Sequence, residues 1–227
     1  MEVQWLEQTA ADVSADDAWL STAERLLCGS MKLAKRRNDW SLGRWTAKHA
    51  VANYLGLALA PEALASIEIR PAASGAPEVF LNDQPAEVSI SLSHSDGTAA
   101  CAVAPAGAVT GCDLERIEPR SEAFIADYFT AEEQAMIAQA APAERDRLVT
   151  VLWSAKESAL KALRTGLRLD TRRVSVWLAS PSQGSESWSA LTVRYADQLF
   201  QGWWRSSGGL ARTMVSVPAA GPPIRQA

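Results

Sequence analysis

Short runs that alternate apolar and polar side chains punctuate this chain. Between them lie longer stretches in which apolar residues return every three or four positions. The short runs predict strands over Val3–Leu6, Ile67–Arg70, Glu78–Leu81, Val88–Ser93, Thr98–Ala104, the stretch VTGCDLERI from Val109, Val174–Leu178, Ser189–Tyr195, Leu199–Trp204 and Thr213–Val217. The longer stretches predict helices. One is opened by the acidic segment Asp12–Asp17 and runs to Leu27, one covers Ser41–Leu57 with Gly56 near its end, two short ones cover Phe124–Phe129 and Ala131–Gln139, and a long one covers Val149–Leu167. PAASGAP and the Ser/Gln/Gly stretch Ser180–Ser187 read as loops, and the Pro/Ala/Gly-rich tail 219–227 reads as disordered.

In the long helix, Val149, Leu152, Trp153, Leu160, Leu163 and Leu167 fall within about 100° of one another and form one core-facing stripe. Lys156 projects into the middle of that stripe, Glu157 lies on its edge, and Lys161 follows one turn beyond Glu157. An ammonium on a core-facing stripe must snorkel to water or find an anion. This helix alone leaves both outcomes open.

A repeat changes the picture. WTAK at Trp45–Lys48 returns as WSAK at Trp153–Lys156, 108 positions later. At the same offset Trp5-Leu6-Glu7 falls on Asp113-Leu114-Glu115, and the strand at Ile67 falls on Ser175–Leu178. A constant offset across strands and helix predicts two copies of one α/β unit, residues 1–107 and 108–218, packed with a cleft on their seam. The expected class is therefore α+β, two pseudo-symmetric α/β subdomains. Lys48 and Lys156 become twins, so both helices are expected to aim a cation at the seam.

Composition narrows the function. A net charge of −4 and an isoelectric point near 5.3 disfavour nucleic acid as a partner. No apolar run is long enough to span a bilayer, and the first residues lack a signal-peptide pattern, which predicts a cytoplasmic protein with no membrane partner. Cys28, Cys101 and Cys112 show no metal-ligand spacing and read as reduced thiols.

The two copies differ in their chemistry. Asp113 and Glu115 stand two apart on a strand, so their carboxylates converge on one face. A divalent cation would relieve their repulsion; a solvated strand end is the plainer alternative. On the helices, His49 and Asn53 of the first copy become Glu157 and Lys161 in the second. The first copy carries SLSHSDG, in which His94 and its flanking serines suit a phosphate or merely cap a turn. Lys35, Arg36, Arg37, Arg44 and Lys48 offer cations for a polyphosphate or an acidic partner, or form a solvated helix face.

The order of a basic helix with GRxxAK, then SLSHS, then GCDLE, then WSAKESALKA resembles the Sfp-type 4′-phosphopantetheinyl transferases over about residues 30–178. That resemblance implies the family's pseudo-twofold fold, with the active site on the seam. It also implies transfer of 4′-phosphopantetheine from coenzyme A to a serine of an apo acyl, peptidyl or aryl carrier protein, releasing adenosine 3′,5′-bisphosphate. By the same resemblance Asp113, Glu115 and Glu157 would be Mg²⁺ ligands, with Glu157 also the base. Lys156 and Lys161 would neutralise the pyrophosphate. Ser93, His94, Arg37 and Lys48 would hold the 3′-phosphate, and Gly75 and Pro77 would lie by the adenine. The family often has G-K-P there, whereas Ala76 stands in place of the lysine. A fused pair of repeats implies a monomer. A degenerate module that binds coenzyme A or a carrier without turnover, and another Mg²⁺-dependent nucleotide phosphotransferase or hydrolase, remain as rival readings.

Overall fold

Two long helices, each laid across one sheet, organise the chain. The computed structural model of the protein describes residues 1–180 and 187–226. The first half runs β1 (Gln4–Thr9), α1 (Thr22–Ser30), α2 (Ala34–Leu55), α3 (Pro61–Ala65), β2 (Ile67–Pro71), β3 (Pro77–Leu81), β4 (Gln84–Pro85), β5 (Val88–Ser95) and β6 (Thr98–Pro105). The second runs β7 (Val109–Arg116), α4 (Glu122–Tyr128), α5 (Ala131–Gln139), α6 (Pro142–Ala162), β8 (Val174–Leu178), β9 (Ser189–Tyr195), β10 (Gln198–Ser207), β11 (Leu210–Val217) and β12 (Ile224–Arg225). The class is α+β.

Strand order carries the duplication. The second half forms a sheet β7-β11-β10-β9-β8; the first forms β12-β1-β6-β5, with β2-β3-β4 as a separate small sheet. Helix α2 packs on one face of β1 and β6 through Leu6, Ala47, Ala50, Val51, Cys101 and Val103. Helix α6 packs on the corresponding sheet of the second half through Leu152, Ala155, Ala159, Val193, Ala211 and Val215. The opposite faces of the two sheets meet in a third cluster, the seam core, built from Val3, Trp5, Ala100, Ala102, Ala104, Cys112, Leu114 and Met214. Alanines on every other position of β6 allow that close approach.

The ladders correct one detail of the repeat. Gln4 pairs with Val103 and Leu6 with Cys101, while Gly111 pairs with Val215 and Asp113 with Thr213. The counterparts of Asp113 and Glu115 are therefore Leu6 and Gln8, not Trp5 and Glu7. A one-residue slip exchanges the two faces of a strand. Trp5 and Glu7 accordingly face the seam, where Glu7 accepts from Arg205 at 3.0 Å and from Arg212 at 2.6 Å.

Other boundaries also move, and α2 begins at Ala34 where Ser41 was expected. The first helix starts at Thr22, not in the acidic segment, because Ser21 and Glu24 form a capping box there. Helix α6 begins at Pro142 and stops at Ala162, short of the expected Leu167; Arg164 and Gly166 take left-handed backbone angles that a helix cannot continue. Residues 219–226 are ordered where composition predicted disorder: Ile224 and Arg225 pair in parallel with Gln4 and Trp5, because β1 offers them a free edge. Most of the loop expected over Ser180–Ser187 lies outside the described residues.

Candidate active site

The motif G-x-D-x-E lies on β7, facing α6. A Cβ on Gly111 would sit 1.9 Å from the carbonyl oxygen of Ser158 and 2.7 Å from the amide of Ala162, so only glycine lets α6 lie this close. That contact sets the helix over the carboxylates. Lys161 donates to Asp113 Oδ1 at 2.8 Å and to the Cys112 carbonyl at 3.0 Å. Trp153 Nε1 donates to Glu115 Oε1 at 3.2 Å, and Arg120 lies 3.5 Å from Glu115 Oε2. Ser93, on the neighbouring β5, donates to Asp113 Oδ1 at 2.8 Å.

The electrostatics follow from this crowding. Burial pushes Glu157 up to about 7, with Asp113 and Glu115 adding to the rise and Lys161 opposing it. Burial, then Asp113, also raises Glu115. Burial works against the charge of Lys161, but Asp113, Cys112 and Glu157 together outweigh it and hold the ammonium above its ordinary value. Asp113 Oδ2 and Glu157 Oε1 are both buried without a hydrogen-bond partner. Among the described residues, no three His, Cys, Asp or Glu side chains are gathered closely enough to hold a metal ion as they stand. The two orphaned oxygens are nevertheless what a hard cation would satisfy, and anionic oxygen is its preferred donor. The residue set fits Mg²⁺ in donor chemistry.

Beside this cluster a cleft of about 390 Å³ opens on the seam. Its walls include Arg44 of α2, Arg70 of β2, the 74–77 turn, Ser91 of β5, and Lys161 and Arg164 at the end of α6. Lys161 thus belongs to both the cleft and the carboxylates. Arg44 is mostly buried, its Nε has no hydrogen-bond partner, and its guanidinium stacks on Trp40 at 5.0 Å. Gly75 and Pro77 line the cleft.

Two expected phosphate contacts are corrected. Lys48 and Lys156 are fully buried, and neither points to the seam. Lys48 Nζ meets Glu24 Oε2 at 2.5 Å and the carbonyls of Trp19 and Leu64 at 3.0 Å each. Lys156 meets Glu133 Oε2 at 2.8 Å, the Thr171 carbonyl at 2.9 Å and the Val174 carbonyl. Their donors are saturated inside each half, so a phosphate could be reached only by dismantling a buried ion pair. Each glutamate is also the N3 residue of a capping box, S-T-A-E or T-A-E-E, so the glutamates, though not their lysine partners, are marked in the sequence.

The remaining expected contacts are scattered. Ser93 is engaged by Asp113, His94 is exposed at the next position and faces away from it, and Arg37 is exposed near the start of α2. None of the three lines the cleft. Arg70 was not anticipated. It lies on a strand with no motif around it and enters the wall only through the fold, paired with Glu68 at 2.7 Å and with Asp83.

Residues 110–207 match the family model of the 4′-phosphopantetheinyl transferase superfamily. Over this segment the chain is similar to that superfamily. The matched segment holds all four of Asp113, Glu115, Glu157 and Lys161. The holo-(acyl-carrier-protein) synthase of Bacillus anthracis str. Ames, solved in complex with CoA (3′,5′-ADP), is 22% identical with a TM-score of 0.37, over 45% of this chain and 92% of that one. The Helicobacter pylori holo-[acyl-carrier-protein] synthase in complex with coenzyme A is 20% identical with a TM-score of 0.37, over 46% of this chain and 99% of that one. The Thermotoga maritima holo-[acyl-carrier-protein] synthase is 22% identical with a TM-score of 0.36, over 48% and 62%. No curated protein sequence matches the chain. Among the described residues no helix is long and apolar enough to cross a membrane.

Proposed function

We propose that this protein is a Sfp-type, Mg²⁺-dependent 4′-phosphopantetheinyl transferase that uses coenzyme A and modifies a serine of an apo carrier protein. The observation that carries the reading is Lys161. It holds Asp113 beside Glu157 and Glu115 and at the same time lines a cleft that also bears Arg44, Arg70 and Arg164. A pyrophosphate ester laid in that cleft would meet cations along its length and a carboxylate base at its end. In this reading residues 1–107 supply much of the cleft wall and 108–218 the reacting carboxylates. The serine oxygen attacks the phosphorus that carries the pantetheine arm, the bond from that phosphorus to the bridging oxygen breaks, and adenosine 3′,5′-bisphosphate leaves. Glu157 takes the serine proton; a carboxylate poised near 7 suits that task. Lys161 neutralises charge on the leaving phosphate. Asp113, Glu115 and Glu157 would hold Mg²⁺, which when bound supplies further charge neutralisation at the pyrophosphate.

The test is intact-mass measurement of a panel of apo carrier proteins incubated with the protein, Mg²⁺ and coenzyme A. A phosphopantetheine mass gain that disappears with EDTA supports the transferase. Coenzyme A binding without a gain on any carrier would replace it with a binding module, and nucleotide hydrolysis without a carrier would replace it with a hydrolase.

A further inference from the structure

The seam has two ends, and the chain treats them differently. At one end β5 lies along β7, joined by serine side chains rather than by a backbone ladder. The Cys112 amide donates to Ser91 Oγ at 2.9 Å, Ser93 Oγ donates to Asp113, and the Arg116 amide donates to Ser95 Oγ at 3.1 Å. The pseudo-twofold relation would bring β10 alongside β1 at the other end. There the segment after β11 enters instead. Its Ala220 carbonyl accepts from Trp203 Nε1 of β10 at 2.9 Å, and the chain then runs beside β1. The amides of Ile224 and Gln226 donate to the carbonyls of Val3 and Trp5, both at 2.9 Å.

The last described side chain completes the contact. Gln226 Nε2 donates to Gln4 Oε1 at 2.7 Å and to the Ala50 carbonyl at 3.0 Å, and Gln226 Oε1 accepts from Asn53 Nδ2 at 3.3 Å. Gln4, Ala50 and Asn53 correspond in the first half to Gly111, Ser158 and Lys161 in the second. The carboxamide therefore lies against the first-half counterparts of Gly111, Ser158 and Lys161.

We infer that the groove between the edge of β1 and helix α2 is a peptide-binding site. It takes an extended segment bearing a carboxamide side chain, and residues 219–226 fill it in cis. Backbone pairing with a strand edge supplies the docking, as in strand addition generally. Selectivity comes from the amide, which must donate to two oxygens and accept from one nitrogen. A carboxylate at that position cannot donate, and it would face the Ala50 carbonyl and Gln4 Oε1 as one acceptor against others. The inference does not depend on the transferase reading, because none of its residues belongs to the carboxylate cluster or the cleft.

The experiment uses the chain ended after Pro218, together with a synthetic peptide of residues 219–226. The shortened protein is expected to melt about 5 °C lower, the loss of several edge hydrogen bonds in a chain of this size. Saturating peptide restores the midpoint, the same peptide with Gln226→Glu binds at least tenfold more weakly, and the full chain, already filled, does not bind the labelled peptide. An unchanged midpoint, or equal binding of both peptides, overturns the inference. If the shortened chain does not fold, amide exchange in full-length Gln226→Glu decides. Exchange at Ile224 and Gln226 should rise at least tenfold while α6 stays protected, and unchanged exchange there overturns the inference.

Discussion

Glu157 is the residue on which the proposed site turns, because in that reading its protonation couples catalysis to stability. Burial pushes its pKa up to about 7 from the ordinary 4.5, so folding favours the neutral acid. The stability from this group is present in full below pH 4.5 and lost as pH rises through about 7. Glu157→Gln should therefore melt higher than the wild type at pH 8 in the absence of metal. After discounting for partial exposure the gain is on the order of 1 kcal/mol, and it should vanish near pH 4.5. Thermal melts across that range read it; a variant that melts lower at pH 8 contradicts the assignment. Mg²⁺ should raise the wild-type midpoint at pH 8 by more than it raises that of Glu157→Gln. Gly111 is the second decisive residue. Its alanine variant must push α6 away from β7, which should cost about 2–4 kcal/mol and open the Lys161–Asp113 contact. Denaturant titration together with coenzyme A affinity would show both losses.

At the scale of elements, the two long helices are pinned alike. Glu24 joins Lys48 of α2 to the amide of Ile69, and Glu133 joins Lys156 of α6 to the amide of Val176. Each pin ties a capping box, a long helix and a short strand together. The lysine in WxAK therefore sets the roll of its helix; in α6 it turns Glu157 and Lys161 toward β7. Lys156→Met should cost about 3–5 kcal/mol, because it strands a buried carboxylate, and Glu133→Gln on top should recover part of that. Holo-carrier formation by the folded fraction should persist. If Lys156→Met instead leaves the melt unchanged and weakens coenzyme A binding, the lysine meets phosphate after all. The sequence made the awkward position of Lys156 visible, since the apolar stripe showed that it needed an anion. The partner sits 23 positions upstream in a separate helix, and periodicity within one element cannot reach it. The direction of the cation, toward its own half and not the seam, was hidden for the same reason.

At the scale of the molecule, the duplication was suggested by the constant offset of WTAK and WSAK, Asp113, Glu157 and Lys161 by what differs between the copies, and Glu115 by its two-residue spacing from Asp113. Strand register was not: a low-identity repeat fixes an offset only to within a residue, and one residue decides whether Glu7 faces α2 or the arginines of the seam. The cleft wall was hidden too, since Arg44, Arg70 and Arg164 come from α2, β2 and the end of α6. The ordered tail escaped because composition reports what a segment is made of, not whether a strand edge awaits it. The central claim is that the seam carboxylates, beside the cleft and apart from the buried lysines, perform the transfer. It is tested most directly by the initial rate of holo-carrier formation, followed by intact mass, for the wild type and for Glu157→Gln at saturating coenzyme A and Mg²⁺. The account predicts a loss of about 10²–10⁴-fold with coenzyme A binding within a few-fold of wild type, the range expected for removing a general base. A Glu157→Gln protein that modifies the carrier at the wild-type rate would contradict it.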